Sequence, residues 1–325
     1  MDISGIIFKE DLKIEKGRLK RVVNQKKVVN LTLTCFLTLV AIFFLVRMAP
    51  GDPVERLLGP EATYEEIQNY RNDLGLNDTI LIQFKTFFLN TLKGDLGKSL
   101  FKRKDVMTLL SKHFKPTLVI AFFTIIISSF CGITFGLISA VYKSRKPDHM
   151  LRLFSIFALS FPIFSLGPIL VYIFSIKLQA FPVSEWGDGG FKHLFLPVMT
   201  LVIPLSSVLS RFTRNKFLEE MKAQWIEILK AKGLSTFSIN LRVLKVCAPS
   251  LLNVIAIQLS VILAGTMVTE TIFDIPGMGS LLLEAIQNRD YPIVQGVILY
   301  STLIYMVIYF LTDYLAQKCD PRISN

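Results

Sequence analysis

Six apolar stretches dominate the sequence and restrict what the chain can fold into. A hydrocarbon core of about 30 Å requires roughly 20 apolar residues in helical conformation, and the stretches are close to that length. Of the 325 residues, 19% are charged and 52% are hydrophobic, and the mean hydropathy is +0.50. We therefore predict an all-α integral membrane protein whose six transmembrane helices are surrounded by membrane lipid. The predicted spans are 28–46, 117–142, 153–176, 194–210, 251–273 and 293–312.

The distribution of lysine and arginine predicts the orientation of these spans, because short cytoplasmic loops carry more of both residues than external loops do. The segment 1–27 is basic, and no small-residue cleavage site follows it, so we expect a retained first helix and not a signal peptide. Loop 211–250 has eight Lys or Arg against three acidic residues. We therefore place this loop, the basic head and the tail 319–325 in the cytoplasm. The net charge of +11 reflects this topology, and we expect no nucleic-acid binding.

Loop 47–116 carries charges of both signs and exceeds the length over which the charge rule operates, so we place it outside. Its helical periodicity over 61–76 and 78–94 predicts short helices there. The segment GDLGKS (94–99) has the closing residues of a phosphate-binding loop, but that motif also needs a glycine where Leu92 stands. We therefore predict that this segment does not bind a nucleotide.

Cysteine and histidine are too few and too scattered to indicate a metal centre, a disulfide framework or a nucleophilic active site. We expect no metal, no cofactor and no enzymatic activity. The residues concerned are Cys35, Cys131, Cys247, Cys319, His113, His149 and His193.

A small-xxx-small pair, Gly132 and Gly136, lies in the second span. Such a pair permits the close approach of another helix. The alternative is that both glycines are merely tolerated in a helix that faces lipid.

The stretch 211–245 is amphipathic and contains one break. The helical pattern stops at Gly233, and Ser235 is a natural N-cap for a second helix. We predict two short helices around a glycine turn, over 219–240. Such a unit suits a membrane surface or, alternatively, insertion into a groove on a partner protein.

At this segment the chain resembles a known family. Glu227, Ile228, Leu229 and Gly233 keep the spacing of the E-A-A-x-x-x-G motif of ABC-importer permeases, with both alanines replaced by larger apolar residues. From about residue 30 to 323 the chain resembles the inner-membrane permeases of oligopeptide, dipeptide and nickel importers, in the subunit type with a long first external loop. The matching segments are MAPGDP (48–53), LGL (74–76), GDLGKS (94–99), PTL from 116, SFPIF (160–164), HLFLP from 193, RFTR (211–214), AKGLS (231–235), ETIFDIPGMG (270–279), RDYPIVQG (289–296) and DPRI (320–323).

The resemblance implies a type I ABC-importer permease fold with a cytoplasmic coupling-helix loop, in a bacterial inner membrane. The chain would form half of a translocation pore, and a homologous permease would form the other half. Two ATP-binding cassette ATPase subunits would dock inside, and an external solute-binding protein would deliver the cargo. ATPase closure would act on Glu227, Ala231, Lys232 and Gly233 and open the pore outward.

Polar residues within the fifth span are candidates for lining the path, because polar groups inside a membrane are costly and usually functional. We expect Asn253, Gln258 and Glu270 in this role, although a hydrogen bond between helices is the alternative for Gln258. The family pattern has a proline where this chain has Ser250, preceded by Pro249, so we expect a different bend where the fifth span begins.

The segment after the fifth span predicts a turn at the outer edge. Pro276, Gly277 and Gly279 would form it, with backbone angles that other residues do not readily adopt.

Two other functional classes compete with the importer interpretation. One is a secondary transporter or channel, and the other is a membrane anchor for a receptor complex. The first would need coupling-ion carboxylates near the midplane and usually repeated halves, which the sequence does not show. The second would not need a structured cytoplasmic unit. The preferred cargo is a peptide, and nickel or a metal chelate is the alternative.

Overall fold

The computed structural model describes residues 29–184, 186–187 and 190–319. Within these residues the chain is helical, and we number the helices α1 to α12. They are α1 (Val29–Met48), α2 (Pro53–Leu58), α3 (Tyr64–Asp73), α4 (Ile80–Leu92), α5 (Val106–Val141), α6 (Lys146–Ser160), α7 (Ile163–Leu170, continued by a π-helix at Val171–Lys177), α8 (Phe191–Glu220), α9 (Gln224–Ala231), α10 (Thr236–Ile272), α11 (Met278–Asn288) and α12 (Tyr291–Cys319). The predicted basic head 1–27 and the segment 320–323 lie outside the described residues.

The predicted all-α membrane fold is confirmed. Five helices are long and apolar enough to cross a membrane, namely α1, α5, α8, α10 and α12, and the α6–α7 pair gives a sixth span if it is counted as one. The two short helices predicted in loop 47–116 are present as α3 and α4. A capping box begins α3, where the Thr63 amide donates to the Glu66 carboxylate at 2.8 Å.

The third predicted span is not one continuous helix. Helix α6 ends at Ser160, α7 begins at Ile163, and the two are bent by 103°. Pro162 explains the break, because proline lacks an amide hydrogen and excludes the preceding residue from helical angles. Phe161 accordingly has extended angles, with φ −93° and ψ 121°.

Several helices extend past the predicted spans, and this changes the predicted unit 219–240. Helix α8 continues to Glu220, and the predicted second short helix is in fact the beginning of α10, which has 37 residues and contains Pro249. The span predictions followed apolar composition. The helices instead end where caps and proline stop them, because an amphipathic helix continues beyond the hydrocarbon core.

Helix α8 is the central helix of the bundle. Within its apolar window 61% of the residues are buried, against 17–33% for the other four long spans. Three apolar clusters surround it or lie beside it. The first joins α5, α7, α8 and α10, the second joins α1, α5, α11 and α12, and the third joins α5, α8, α9 and α10.

Close packing of α5 against α8 accounts for the glycine pair in the second span. A Cβ added at Gly132 would lie 2.7 Å from the Leu209 Cβ, and one added at Gly136 would lie 2.6 Å from the Ser210 carbonyl oxygen. Both distances are shorter than atoms can approach, so the small residues let the two backbones come together. Of the two alternatives for this pair, the close helix contact is the one found.

Candidate functional site

The break predicted at Gly233 is a complete helix end followed at once by a new helix start. Gly233 has φ +75°, its amide donates to the Lys230 carbonyl at 2.9 Å, and the Leu234 amide donates to the Leu229 carbonyl at 3.3 Å. These two bonds are the Schellman arrangement that ends helices at a left-handed residue. Two residues later, the Ser235 hydroxyl accepts from the Ser238 amide and begins α10.

Helix α9 is attached to the bundle through its apolar face. Ile226 is 1% exposed and lies in the cluster formed with Phe217 of α8 and with Ile239 and Val243 of α10. Leu229, one of the two enlarged motif residues, packs against the same cluster. Helix α9 is therefore fixed to α8 and α10 by apolar side chains of one shared cluster.

The opposite face of α9 and the turn after it are open. All four predicted coupling residues, Glu227, Ala231, Lys232 and Gly233, are exposed, and a Cβ added at Gly233 would meet nothing within 4 Å. Two large apolar side chains accompany them, Ile228 at 56% and Phe237 at 78% exposure. The sequence analysis did not single out Phe237.

The end of α10 that precedes α11 is built around Glu270, which is fully buried. Its Oε1 accepts from the Thr117 hydroxyl at 2.6 Å, and its Oε2 accepts from the amides of Gly279 and Ser280 at 2.7 and 2.9 Å. Thr117 in turn accepts from the Met278 amide at 2.8 Å. The first amides of a helix have no partner within the helix, so Glu270 and Thr117 together cap α11. The sequence analysis predicted neither this cap nor α11 itself.

The turn predicted after the fifth span forms, but for a different reason from the one predicted. Gly277 has φ −103° and ψ −174°, angles that any residue adopts, and Gly279 lies within α11. The left-handed residue is Asp274, with φ 49°. What the glycines provide is space, because a Cβ at Gly277 would overlap the Glu270 carboxyl group and one at Gly279 would overlap the Met267 backbone.

The segment GDLGKS has a structural contact that was not predicted. The Ser99 hydroxyl donates to the Asp290 carboxylate at 2.6 Å, and the amides of Leu100 and Phe101 approach the same carboxylate at 3.3 Å. Nearby, Lys102 and Glu284 form an ion pair at 2.7 Å. These contacts hold the loop before α5 against the beginning of α12, and they use Ser99 for a protein contact.

The three predicted path residues do not lie together. Gln258 is buried, and its Nε2 donates to the Leu205 carbonyl of α8 at 2.7 Å, which is the helix–helix contact considered as its alternative. Glu270 is buried in the cap of α11 and does not face an open surface of this chain. Asn253 alone is exposed.

Asn253 lies in a groove between α10 and α12. Two cavities of about 340 and 360 Å³ follow one another there and share Ser260 and Tyr305. The lining is mainly apolar with some hydroxyl groups, including those of Ser301 and Thr302, and the described lining residues carry no charged side chain. A neutral, partly polar surface of this kind differs from the outer face of α5, where large apolar side chains are exposed.

No group of three or more His, Cys, Asp or Glu side chains that could hold a metal ion occurs among the described residues. Cys35, Cys131 and Cys247 are free thiols.

Most of the chain matches a family of transport proteins. Residues 132–325 match the family described as the inner membrane component of binding-protein-dependent transport systems, and residues 19–121 match its N-terminal membrane component. The chain belongs to this family and is a permease subunit of an ABC importer. It is a multi-pass inner-membrane protein, and its family implies partner ATPase subunits and a binding protein.

Individual relatives cover nearly the whole chain. A probable peptide ABC transporter permease, y4tP of Sinorhizobium fredii, is 36% identical over 87% of this chain and 92% of its own length. The glutathione transport system permease GsiC of Escherichia coli is 32% identical over 92% of this chain and 97% of its own length. An inward-facing structure of the methionine ABC transporter MetNI matches with a TM-score of 0.53 and 15% identity, covering 66% of this chain and 97% of the other. This likeness supports the predicted type I permease fold.

Proposed function

We propose that this chain forms half of the translocation pore of an ATP-driven peptide importer and does not itself hydrolyse ATP. A homologous permease forms the other half, two ATPase subunits supply the energy, and a solute-binding protein delivers the peptide. The peptide cargo is supported by the relatives, one of which is named a probable peptide permease and the other a glutathione permease.

The observation that carries this proposal is the two-sided character of α9. One face is buried among α8 and α10, whereas the other exposes Glu227 and, through the following turn, Gly233. This geometry suits a short helix that inserts into a groove on an ATPase subunit. This contact can shift the pore between its inward-open and outward-open states only to the extent that the binding free energy of the contact differs between the two states.

The orientation follows from this assignment. We place α9 and both termini in the cytoplasm and loop 47–116 outside, in agreement with the excess of basic residues in 211–250. The groove between α10 and α12, with Asn253 at one end, is our candidate for the wall of the path.

The coupling role is tested at Gly233, whose left-handed backbone costs other residues roughly 1–2 kcal/mol. We expect Gly233→Val to abolish peptide uptake while the protein remains at normal abundance in the membrane, because span insertion depends on apolar length. Gly233→Asn is the matched control, since asparagine adopts left-handed angles more readily. Copurified ATPase should be measured in each variant. Normal uptake by the valine variant would contradict the coupling role.

The cargo is tested with the complete transporter. Uptake of a labelled peptide should require this chain, and excess unlabelled peptide should compete with it. Competition by nickel or a nickel chelate, with none by peptide, would instead assign the alternative cargo.

A further inference from the structure

A buried ion pair joins α6 to α8 close to the end of the bundle that carries α9. Arg214 of α8 donates from Nε to the Asp148 Oδ1 at 2.8 Å and from Nη2 to the Asp148 Oδ2 at 2.9 Å. The Asp148 side chain is 1% exposed and that of Arg214 is 17% exposed. Such two-point contact between a guanidinium and a carboxylate fixes both the distance and the angle between the two groups.

The same carboxylate also holds the turn between α5 and α6. The Ser139 hydroxyl of α5 donates to Asp148 at 2.6 Å, and the Ser144 amide donates at 2.9 Å. Ser144 itself has φ 62°, an uncommon angle for a residue other than glycine. Asp148 therefore joins three parts of the chain: the end of α5, the first turn of α6 and the side of α8.

Helix α6 has few other buried polar side chains that could bond to a neighbouring helix. Only Asp148, Ser155 and Ala158 are buried among its fifteen residues, and the Ser155 hydroxyl donates within its own helix, to the Leu151 carbonyl. Most of its large apolar side chains, such as Met150 and Phe157, are exposed. Among the described residues, the Asp148–Arg214 contact is the side-chain hydrogen bonding that joins α6 to α8, and it adds a fixed direction to the packing of the two helices.

Arg214 is also close to the segment that we propose receives the ATPase. Arg214 precedes the end of α8 by less than two turns. Phe217 lies between Arg214 and the end of α8, and it belongs to the same apolar cluster as Ile226 of α9. Buried ion pairs often contribute little net stability compared with apolar residues of similar volume, and their best-attested effect is to specify one arrangement. A pair at this place is suited to keep α6 in a fixed register with α8 as α9 moves.

We propose that Asp148 and Arg214 are positioning residues that make α6 move together with α8 when the ATPases displace α9. This inference rests on the proposed coupling role of α9 and adds a route by which the displacement reaches α6 and, across its bend, α7. If the contact is lost, ATP hydrolysis should continue while less solute is transported per ATP.

The test compares variants in the complete transporter, reconstituted in lipid vesicles with its binding protein. Arg214→Lys keeps the charge but loses the two-point contact. The double variant Asp148→Asn/Arg214→Met removes both charges, and its side-chain amide still offers an acceptor to the Ser144 amide and a donor to the Ser139 hydroxyl. We expect peptide uptake per ATP hydrolysed to fall by roughly 2- to 30-fold in both, the range that coupling mutations usually produce. Arg152→Lys, the same change at an exposed arginine of α6, should leave the ratio unchanged.

The outcomes are separable. An unchanged ratio in Arg214→Lys or in the double variant, at normal abundance, would overturn the proposal. Loss of both variants from the membrane would also overturn it, because the pair would then be a folding contact. Failure of the wild-type chain to retain ATPase subunits would instead refute the proposed function, before any variant is compared.

Discussion

The cap formed by Glu270 makes a quantitative prediction, because two substitutions at this position should differ in their effect. In Glu270→Ala the partly buried amides of Gly279 and Ser280 lose the acceptor that the fully buried Glu270 side chain provides. A fully buried donor without a partner costs about 1–3 kcal/mol, so about 2–6 kcal/mol is the upper range for the two amides. Loss of the Thr117 contact adds little to this cost, because the Thr117 hydroxyl lies 3.4 Å from the His113 carbonyl oxygen and can donate to it instead.

Glu270→Gln should be much milder. The amide oxygen can replace Oε2 and accept from both backbone amides, and the amide nitrogen can face the Thr117 hydroxyl, which accepts as well as donates. We expect a loss of about 1 kcal/mol, typical of a single altered hydrogen bond.

The assay is thermal unfolding in detergent, together with membrane abundance and peptide uptake. Alanine should lower the unfolding temperature and the abundance strongly, and glutamine should retain most uptake per molecule. Glu284→Gln is a control in α11, because Glu284 forms an exposed ion pair with Lys102. Such a pair contributes about 0–1 kcal/mol to stability. If glutamine abolished uptake as completely as alanine, the charge itself would be required and the capping explanation would be wrong.

Three further predictions concern packing and topology. Gly136→Val should reduce membrane abundance, because its side chain would overlap α8, whereas Phe130→Val at an exposed site of the same helix should not; equal abundance would contradict the packing. Gly277→Val should lower thermal stability as well as uptake, because it displaces Glu270; normal unfolding with lost uptake would contradict this explanation. A cysteine at Gly94 should react with a membrane-impermeant reagent added from outside, and labelling only from inside would reverse the topology.

The number and approximate place of the spans were predictable because they depend on local apolar length alone. Their ends were not predictable in this way. Helix α10 begins at Thr236, about four turns before the apolar stretch that indicated it, because Ser235 supplies a cap and the intervening residues are amphipathic. Pro162 is a visible cause of the break before α7, but the span was predicted from hydropathy averaged over many residues, and one proline changes that average little.

The position of α9 was predictable from motif spacing and from Gly233, since both signals are local. How α9 is attached was not, because the apolar cluster that contains Ile226 combines side chains of α5, α8 and α10, from Ala140 to Leu251. The same reason applies to Ser99, whose partner Asp290 lies 191 residues away. A sequence pattern indicates which side chains are polar or apolar, whereas their partners depend on how the helices pack.

Glu270 illustrates why a polar residue in a span cannot be assigned from its type. An intramembrane carboxylate requires partners, and a water-filled path and a set of backbone amides both provide them. The sequence contains the acid but does not reveal that Thr117, 153 residues earlier, and the first amides of α11 surround it. Glycines at 277 and 279 were the signal that could have been used: both leave room beside α10, and room next to a buried acid at a helix start indicates a cap. The same reasoning applies to the other two predicted path residues, because Gln258 donates to the Leu205 carbonyl while its Oε1 is buried without a partner among the described residues, and Asn253 is exposed in the groove beside α12.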